Sequence, residues 1–381
     1  MWGRSGNAPP PPTSKDEKEK PQTLIYREAG QFKTSYEADA AIFPIRQDLI
    51  AVWVLVAIAF VVVPLVATPY VFTGILIPFL ILSLATLGLN ILTGYAGQLS
   101  LGTAAFMAVG AFASFNFILR IPGIPVLLAF AGGGVVAALV GMVFGLPSLR
   151  IRGFYLAVAT LAAQFFILWF LTKVGWVTNY NPSGVITAQQ VVILGHAFTT
   201  PIDKYLLVLG IVTVMALAAK NMARGNVGRS WMAVRDMDVA AEVIGIRLMR
   251  AKLLAFAVSS FYCGVAGALF AYAYLGTVEP EAFSLDLSFR VLFMVIIGGV
   301  GSILGSFMGA AFVTLLPVLL SVTVRFLDRN LGLHIAESTI SNLELMIFGG
   351  LIIFFLIVEP HGLARLWQIA KDKLRLWPFP H

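Results

Sequence analysis

Asn90, Tyr95, Gln98, Ser100, Thr103, Asn116, Thr160, Gln164, Ser259 and Ser260 are hydrogen-bonding side chains set inside long apolar runs. Each is costly in a nonpolar surround unless it is paired or faces a water-filled cavity. The chemistry open to such a set is recognition rather than bond-making. Neutral donors and acceptors suit a path for a small zwitterionic or uncharged solute better than a proton relay, because charge enters only near run ends, at Arg290 and Glu344. The plainer alternative is that each residue hydrogen-bonds one helix to the next, and for any single one that is the commoner outcome. Tyr95 and Gln98 stand apart, since they lie where glycines break a helix and backbone groups turn inward. The pathway candidates are therefore Asn90, Tyr95, Gln98, Ser100, Thr160 and Gln164.

Other chemistries are excluded. Cys263 is the only cysteine and sits in an apolar run, so neither a disulfide nor a cysteine metal cluster is expected. His196, His334, His361 and His381 are scattered without ligand spacing. No Gly-x-x-x-x-Gly-Lys-Ser/Thr occurs, which rules out ATP hydrolysis through a Walker-type phosphate cradle on this chain. Gly298, Gly299 and Gly301 suggest a dinucleotide loop only superficially. They lie between apolar runs with no strand–helix context and read as close helix packing. No paired carboxylates and no Ser-His-Asp set appear within the runs, so no catalytic residue, cofactor or metal is expected, and transport is the default.

The elements that must position these residues follow from composition. The chain has 381 residues, 59% hydrophobic and 12% charged, including 35 glycines, with a mean hydropathy of +0.89. No soluble domain of this size hides so much apolar surface, so the fold class is an all-α polytopic membrane protein with glycine-broken helices. About ten transmembrane elements are expected: about 49–67, 73–93, 101–119, 126–145, 154–172, 204–220, 252–275, 287–299, 303–321 and 343–358. The eighth and ninth come from dividing one 35-residue run at Gly298–Gly305, since a span needs about 20 residues. Residues 1–45 read as a disordered tail, 46–360 as the membrane domain and 361–381 as a second tail. With ten elements, most Lys and Arg gather on one side, in the first tail, at Arg150 and Arg152, in 220–252 and in the last tail. That side is the cytoplasm, and both termini lie there. The net charge of +7 reflects this bias and is no sign of nucleic acid, because no groove of basic and aromatic residues accompanies it.

Residues 220–252 form a long polar interruption. Ala233, Val234, Met237, Ala240, Ala241, Ile244 and Leu248 recur at spacings of three and four, which predicts one amphipathic helix, loosened or ended at Gly245. Its apolar face needs a cover: either lipid and the protein's own helix ends, or a second protein docked from the cytosol.

The residues also resemble a family. Leu89-Asn90-Ile91 followed by Gly94-Tyr95-Ala96-Gly97-Gln98-Leu99-Ser100-Leu101-Gly102 resembles a signature of LivM-type permeases, inner-membrane subunits of bacterial branched-chain amino acid ABC importers, whose relatives import urea and short amides. Gly145 to Ala157, Gly228 to Asp236, Ala240 to Ile246 and Gly298 to Gly305 resemble further family segments in the same order. The resemblance implies an ABC importer permease fold and a cytoplasmic helix that docks on an ATPase. Here Gly228, Arg229, Arg235, Asp236, Ala240, Ala241, Glu242 and Gly245 would form the coupling segment. It also implies a second, LivH-like permease, two cytoplasmic ABC ATPase subunits and a periplasmic substrate-binding protein, with membrane lipid around the spans. The solute class would be branched-chain or related hydrophobic amino acids. A urea or short-amide permease and a stand-alone secondary transporter or channel are the alternatives.

Overall fold

The computed structural model describes residues 46–149, 154–181, 184–188, 192–193, 196–331, scattered positions between 342 and 357, and 362–376. The first tail, Arg150, Arg152 and most of the expected last span lie outside the described residues.

Among the described residues, eight helices are long and apolar enough to cross a membrane. We label them, with the shorter helices between them, in chain order: α1 (Leu49–Val66), α2 (Pro69–Tyr95), α3 (Thr103–Arg120), α4 (Val126–Gly145), α5 (Tyr155–Lys173), α6 (Pro201–Arg224), α7 (Asn226–Asp236), α8 (Asp238–Val243), α9 (Leu248–Leu275), α10 (Leu285–Gly298), α11 (Ile303–Leu331) and α12 (Gly362–Leu376). Eight of the ten expected elements thus recur as spans. A further one, α10, is a 14-residue helix, too short to cross unaided.

α2 is the central post. It packs against α9, α11, α6 and α10, and 83% of its apolar window is buried. Its outer turns are widened over Phe72–Leu76, just ahead of Pro78, whose missing N–H breaks the regular ladder there. α1, by contrast, has no part of its window buried and is tied inward by the Tyr205 hydroxyl, which donates to the Ala59 carbonyl at 3.0 Å.

α3, α4 and α9 form the tightest group in the molecule, and small residues are the reason. A Cβ on Gly110 of α3 would collide with the backbone of Gly264 of α9, and one on Gly267 with the backbone of Met107. Without side chains the helix backbones meet directly, the usual source of attraction between helices in lipid.

The connection after α5 has structure that its composition does not announce. Ile186–Thr187 pairs antiparallel with Thr277–Val278 at the exit of α9, in the register Ile186↔Val278, and Val192–Ile193 pairs with His196–Ala197.

Candidate functional site

The chain from Ile91 to Gly102 leaves α2 through a widened turn at Ile91–Tyr95, passes an irregular stretch, and enters α3 at Thr103. The first backbone N–H groups of α3 lack partners within the helix, and no side-chain cap stands at Gly102. Distant residues supply the acceptors. Thr160 Oγ1 of α5 accepts from the Leu101 N–H at 2.9 Å and donates to the Ala157 carbonyl at 2.9 Å. Gln164 Oε1 accepts from the Ala105 N–H at 2.7 Å and from the Ser288 hydroxyl at 3.2 Å, and its Nε2 donates to the Phe283 carbonyl at 2.9 Å. Ser288 Oγ of α10 accepts from the Ala104 N–H at 2.9 Å. Thr160 and Gln164 therefore fix the start of α3 to α5 and to the α10 end.

Asn90 is fully buried and does the same for the second glycine break. Its Nδ2 donates to the Ser302 carbonyl and the Ser306 hydroxyl, and its Oδ1 accepts from the Gly301 N–H, all at 2.8 Å. This one amide joins the end of α2 to the turn between α10 and α11. Ser100 is buried and accepts from the Gly102 N–H at 3.3 Å, while Tyr95 is half-buried at the end of α2. Gln98 differs from all of these. Its backbone N–H donates to the Leu92 carbonyl at 3.0 Å, yet both atoms of its side-chain amide are buried with no hydrogen-bond partner. Among the described residues, the Ser260 and Tyr272 hydroxyls are the other side-chain polar atoms in that state. A cavity of about 680 Å³ between α3, α4 and α5 contains none of the six pathway candidates; Phe112, Val140, Phe166 and Phe170 are among its walls.

The expected amphipathic helix over 220–252 is corrected to two helices. α6 ends at Arg224 and is capped by Gly225, α7 runs to Asp236, Met237 is extended (φ −159°, ψ 103°), and α8 follows. The predicted stripe is divided accordingly. Val234 and Ala241 are buried, together with Trp231, whereas Met237, Val239, Val243 and Ile244 are exposed. α7 turns inward. Gly228 is buried against the Ala223 backbone, and the Trp231 indole N–H donates to the Ala251 carbonyl at 3.0 Å. Arg229 is half-buried on the same helix.

Arg235 reaches furthest. Its Nη1 donates to the Gly94 carbonyl at 2.8 Å, and its Nε to Asp236 Oδ1 at 2.9 Å. The side chain lies directly on Gly97 (φ +68°), where a Cβ would come within 2.8 Å of Arg235 Cγ. A Cβ on Gly301 would lie 3.5 Å from Arg235 Nη1. One guanidinium thus stands over both glycine breaks. Charge-assisted hydrogen bonds of this kind are the stronger ones, at about 1.5–3 kcal/mol.

α8 is held at its two ends. Asp238 Oδ2 pairs with Lys252 Nζ at 3.0 Å, a largely buried ion pair to the start of α9. Gly245 adopts φ +90° and closes α8, with its N–H on the Glu242 carbonyl at 3.0 Å and the Ile246 N–H on the Ala241 carbonyl at 2.9 Å. Ala240 and Glu242 are exposed with the apolar residues. Of the eight coupling candidates, Gly228 and Ala241 are buried, Arg229 is half-buried, Arg235 is partly exposed but bonded to Gly94, and Asp236, Ala240, Glu242 and Gly245 face outward. Among the described residues no group of His, Cys, Asp or Glu could hold a metal ion.

Residues 71–356 match the family described as "Branched-chain amino acid transport system / permease component". The chain is 30% identical over 76% of its length to the high-affinity branched-chain amino acid transport system permease protein LivM of Escherichia coli K12, covering 68% of that protein. It is 24% identical over 74% of its length to a probable branched-chain amino acid transport permease protein LivM of Methanocaldococcus jannaschii, covering 89% of it. It is also 26% identical over 52% of its length to an autoinducer 2 import system permease protein LsrC of Enterobacter sp. 638, covering 55% of it. No solved structure matches. A multi-pass helical membrane protein with these breaks and this family match belongs to the permease components of branched-chain amino acid transport systems, as an ABC importer permease subunit.

Proposed function

We propose that this chain and a second, related permease form the translocation pathway of an ATP-driven importer for branched-chain or related hydrophobic amino acids. The names of its relatives and a pathway lining without charge support that solute class. The membrane is a bacterial inner membrane, with both termini cytoplasmic. A periplasmic binding protein delivers the solute, and two cytoplasmic ATPase subunits hold the nucleotide sites for which this chain has no motif.

The observation that carries this reading is the contrast within the cytoplasmic segment. α8 presents Val239, Val243 and Ile244 outward, while α7 reaches through Arg235 onto Gly94. In this reading an ATPase covers the α8 face. Its closure moves the α7–α8 pair, and Arg235 passes the displacement to the end of α2. Gln98 lies four residues beyond Gly94, and its unpaired buried amide is the candidate solute contact. A solute's carboxylate or ammonium would supply the missing partners. Asn90, Ser100, Thr160 and Gln164 shape the path by fixing the helix ends around it, and Tyr95 borders it.

The test is a mild-detergent pull-down of the tagged chain from its native membrane, followed by ligand screening of any binding protein that accompanies it. Co-purification of an ATPase pair and a second permease is the expected result. A chain that emerges alone, or with copies of itself, across several detergents overturns the proposal in favour of a stand-alone transporter.

A further inference from the structure

We propose that α12 is an interfacial anchor that binds anionic phospholipid at the end of the molecule where α7 and α8 lie. Residues 361–381 read from the sequence as a tail, but Gly362–Leu376 is helical. The helix is rooted on the bundle and then departs from it. Gly362 sits on the α10 end so closely that a Cβ there would come within 2.7 Å of the Gly299 nitrogen and the Ile297 carbonyl. Ala364 is buried, and Leu363 packs on the cluster of Met294, Ile297, Ala310 and Val313. From Arg365 to Ala370 the residues are exposed.

The exposure is uneven in chemistry. Leu363, Leu366, Trp367 and Ala370 stand at spacings of three, one and three, which is one face of a helix. Past its root this face is open: Leu366 is 46% and Trp367 50% exposed. Arg365, Gln368 and Ile369 lie on the other side, where with Val300, Gly301 and Ser302 they line a cavity of about 630 Å³. That cavity has a mixed polar and apolar lining, and the stripe of Leu366 and Trp367 lies on the helix face opposite to it.

Level and charge name the occupant. Val300–Ser302 is the turn between α10 and α11, and Arg235 stands beside it, so α12 lies at the membrane surface. At 15 residues with Arg365, Lys371 and Lys373, the helix is too short and too polar to span. A Trp and Leu face flanked by basic residues suits the headgroup boundary of an anionic leaflet. Asp372 is the only acid from Gly362 to Leu376, so the net charge favours lipid phosphate over a neutral protein groove. The preference for anionic lipid rests on this end being the cytoplasmic one, as proposed above.

The test places an environment-sensitive fluorophore on Ala370→Cys in the purified complex. Cys263 is buried in the bundle and does not compete for label. The complex is compared in nanodiscs of phosphatidylcholine alone and with phosphatidylglycerol. A blue-shifted probe that a bilayer-resident quencher reaches, more so with phosphatidylglycerol, is expected. A probe on Gln368→Cys should stay accessible to water. Reversing Lys371 and Lys373 to Glu should reduce the anionic-lipid preference by about fivefold per charge. A water-exposed Ala370→Cys probe in both lipids overturns the inference. So does equal insertion in both without charge dependence, or protection in detergent by a cross-linkable partner protein. A pull-down that recovers no ATPase leaves this fluorescence readout intact, so the two readings fail separately.

Discussion

α7 and α8 are consecutive helices of 11 and 6 residues, joined by one extended residue, and they use their apolar side chains in opposite directions. α7 buries Trp231 and Val234 and sends Arg235 to the broken end of α2. α8 buries Ala241 alone and leaves Val239, Val243 and Ile244 in the open. The difference separates two jobs that a single amphipathic helix would merge. One helix is fastened to the permease, and the other leaves exposed the apolar surface that the proposed reading gives to an ATPase. A small helix can move as a lever only if its attachment is stronger than its own marginal stability, and α8 is far too short to be stable alone.

The largest effect should come from placing a charge on the open face. Val243→Asp does not touch the permease interior, yet it would bury an unpaired carboxylate in a docked interface, at several kcal/mol. Uptake should fall more than a hundredfold, with normal membrane insertion and loss of ATPase co-purification. Normal uptake would remove the docking role of α8. Ala241→Glu is a poorer test, because Ala241 is 1% exposed and its loss would damage the permease itself.

Next is Arg235→Ala. It removes a hydrogen bond to Gly94 of about 1.5–3 kcal/mol. The complex should still assemble, but uptake should drop about tenfold or more while ATP turnover continues. Arg235→Lys should restore part of the transport, since an ammonium can still reach one carbonyl. A parallel loss of assembly and ATPase activity would instead place Arg235 at the docking surface. Asp238→Asn then breaks the largely buried pair with Lys252. A loss of about 1–3 kcal/mol is expected, seen as a lower melting temperature with modest loss of uptake. The smallest change should follow Met237→Ala. That side chain is exposed at the joint, so stability should shift by no more than about 0.5 kcal/mol. A large destabilisation there would mean that the joint itself is packed.

The spans were legible because each is a long apolar run bounded by Pro, Gly or charge, and the family segments stood in order. The joint at Met237 was not. Neither Gly nor Pro marks it, and the spacing of Ala233, Val234, Ala240 and Ala241 fits one continuous helix. The break is imposed from outside, by the Trp231 and Arg235 anchors on one side and the Asp238–Lys252 pair on the other. The polar residues of the spans were visible as a set, but their partners lie far away in sequence. Thr160 and Gln164 each meet an N–H 59 residues distant, and Asn90 meets one 211 residues distant. Ser288 could have been flagged by the same rule, a hydroxyl in an apolar run. The stripe of α12 was also present at helical spacing, but the basic residues around it dominate a reading by charge.

The backbone contacts among α3, α4 and α9 carry a consequence for how the molecule can move. Helices that meet through glycine have no side chains to reorient at the seam, so sliding or rolling one past another drives carbonyl into Cα. In the proposed transport cycle these three would move as one body. In the proposed cycle the movement would fall first on α1, no part of whose apolar run is buried. A steric clash introduced at the seam, for instance by Gly110→Ala, would not retune the stroke. It would dismantle the frame against which the stroke is measured.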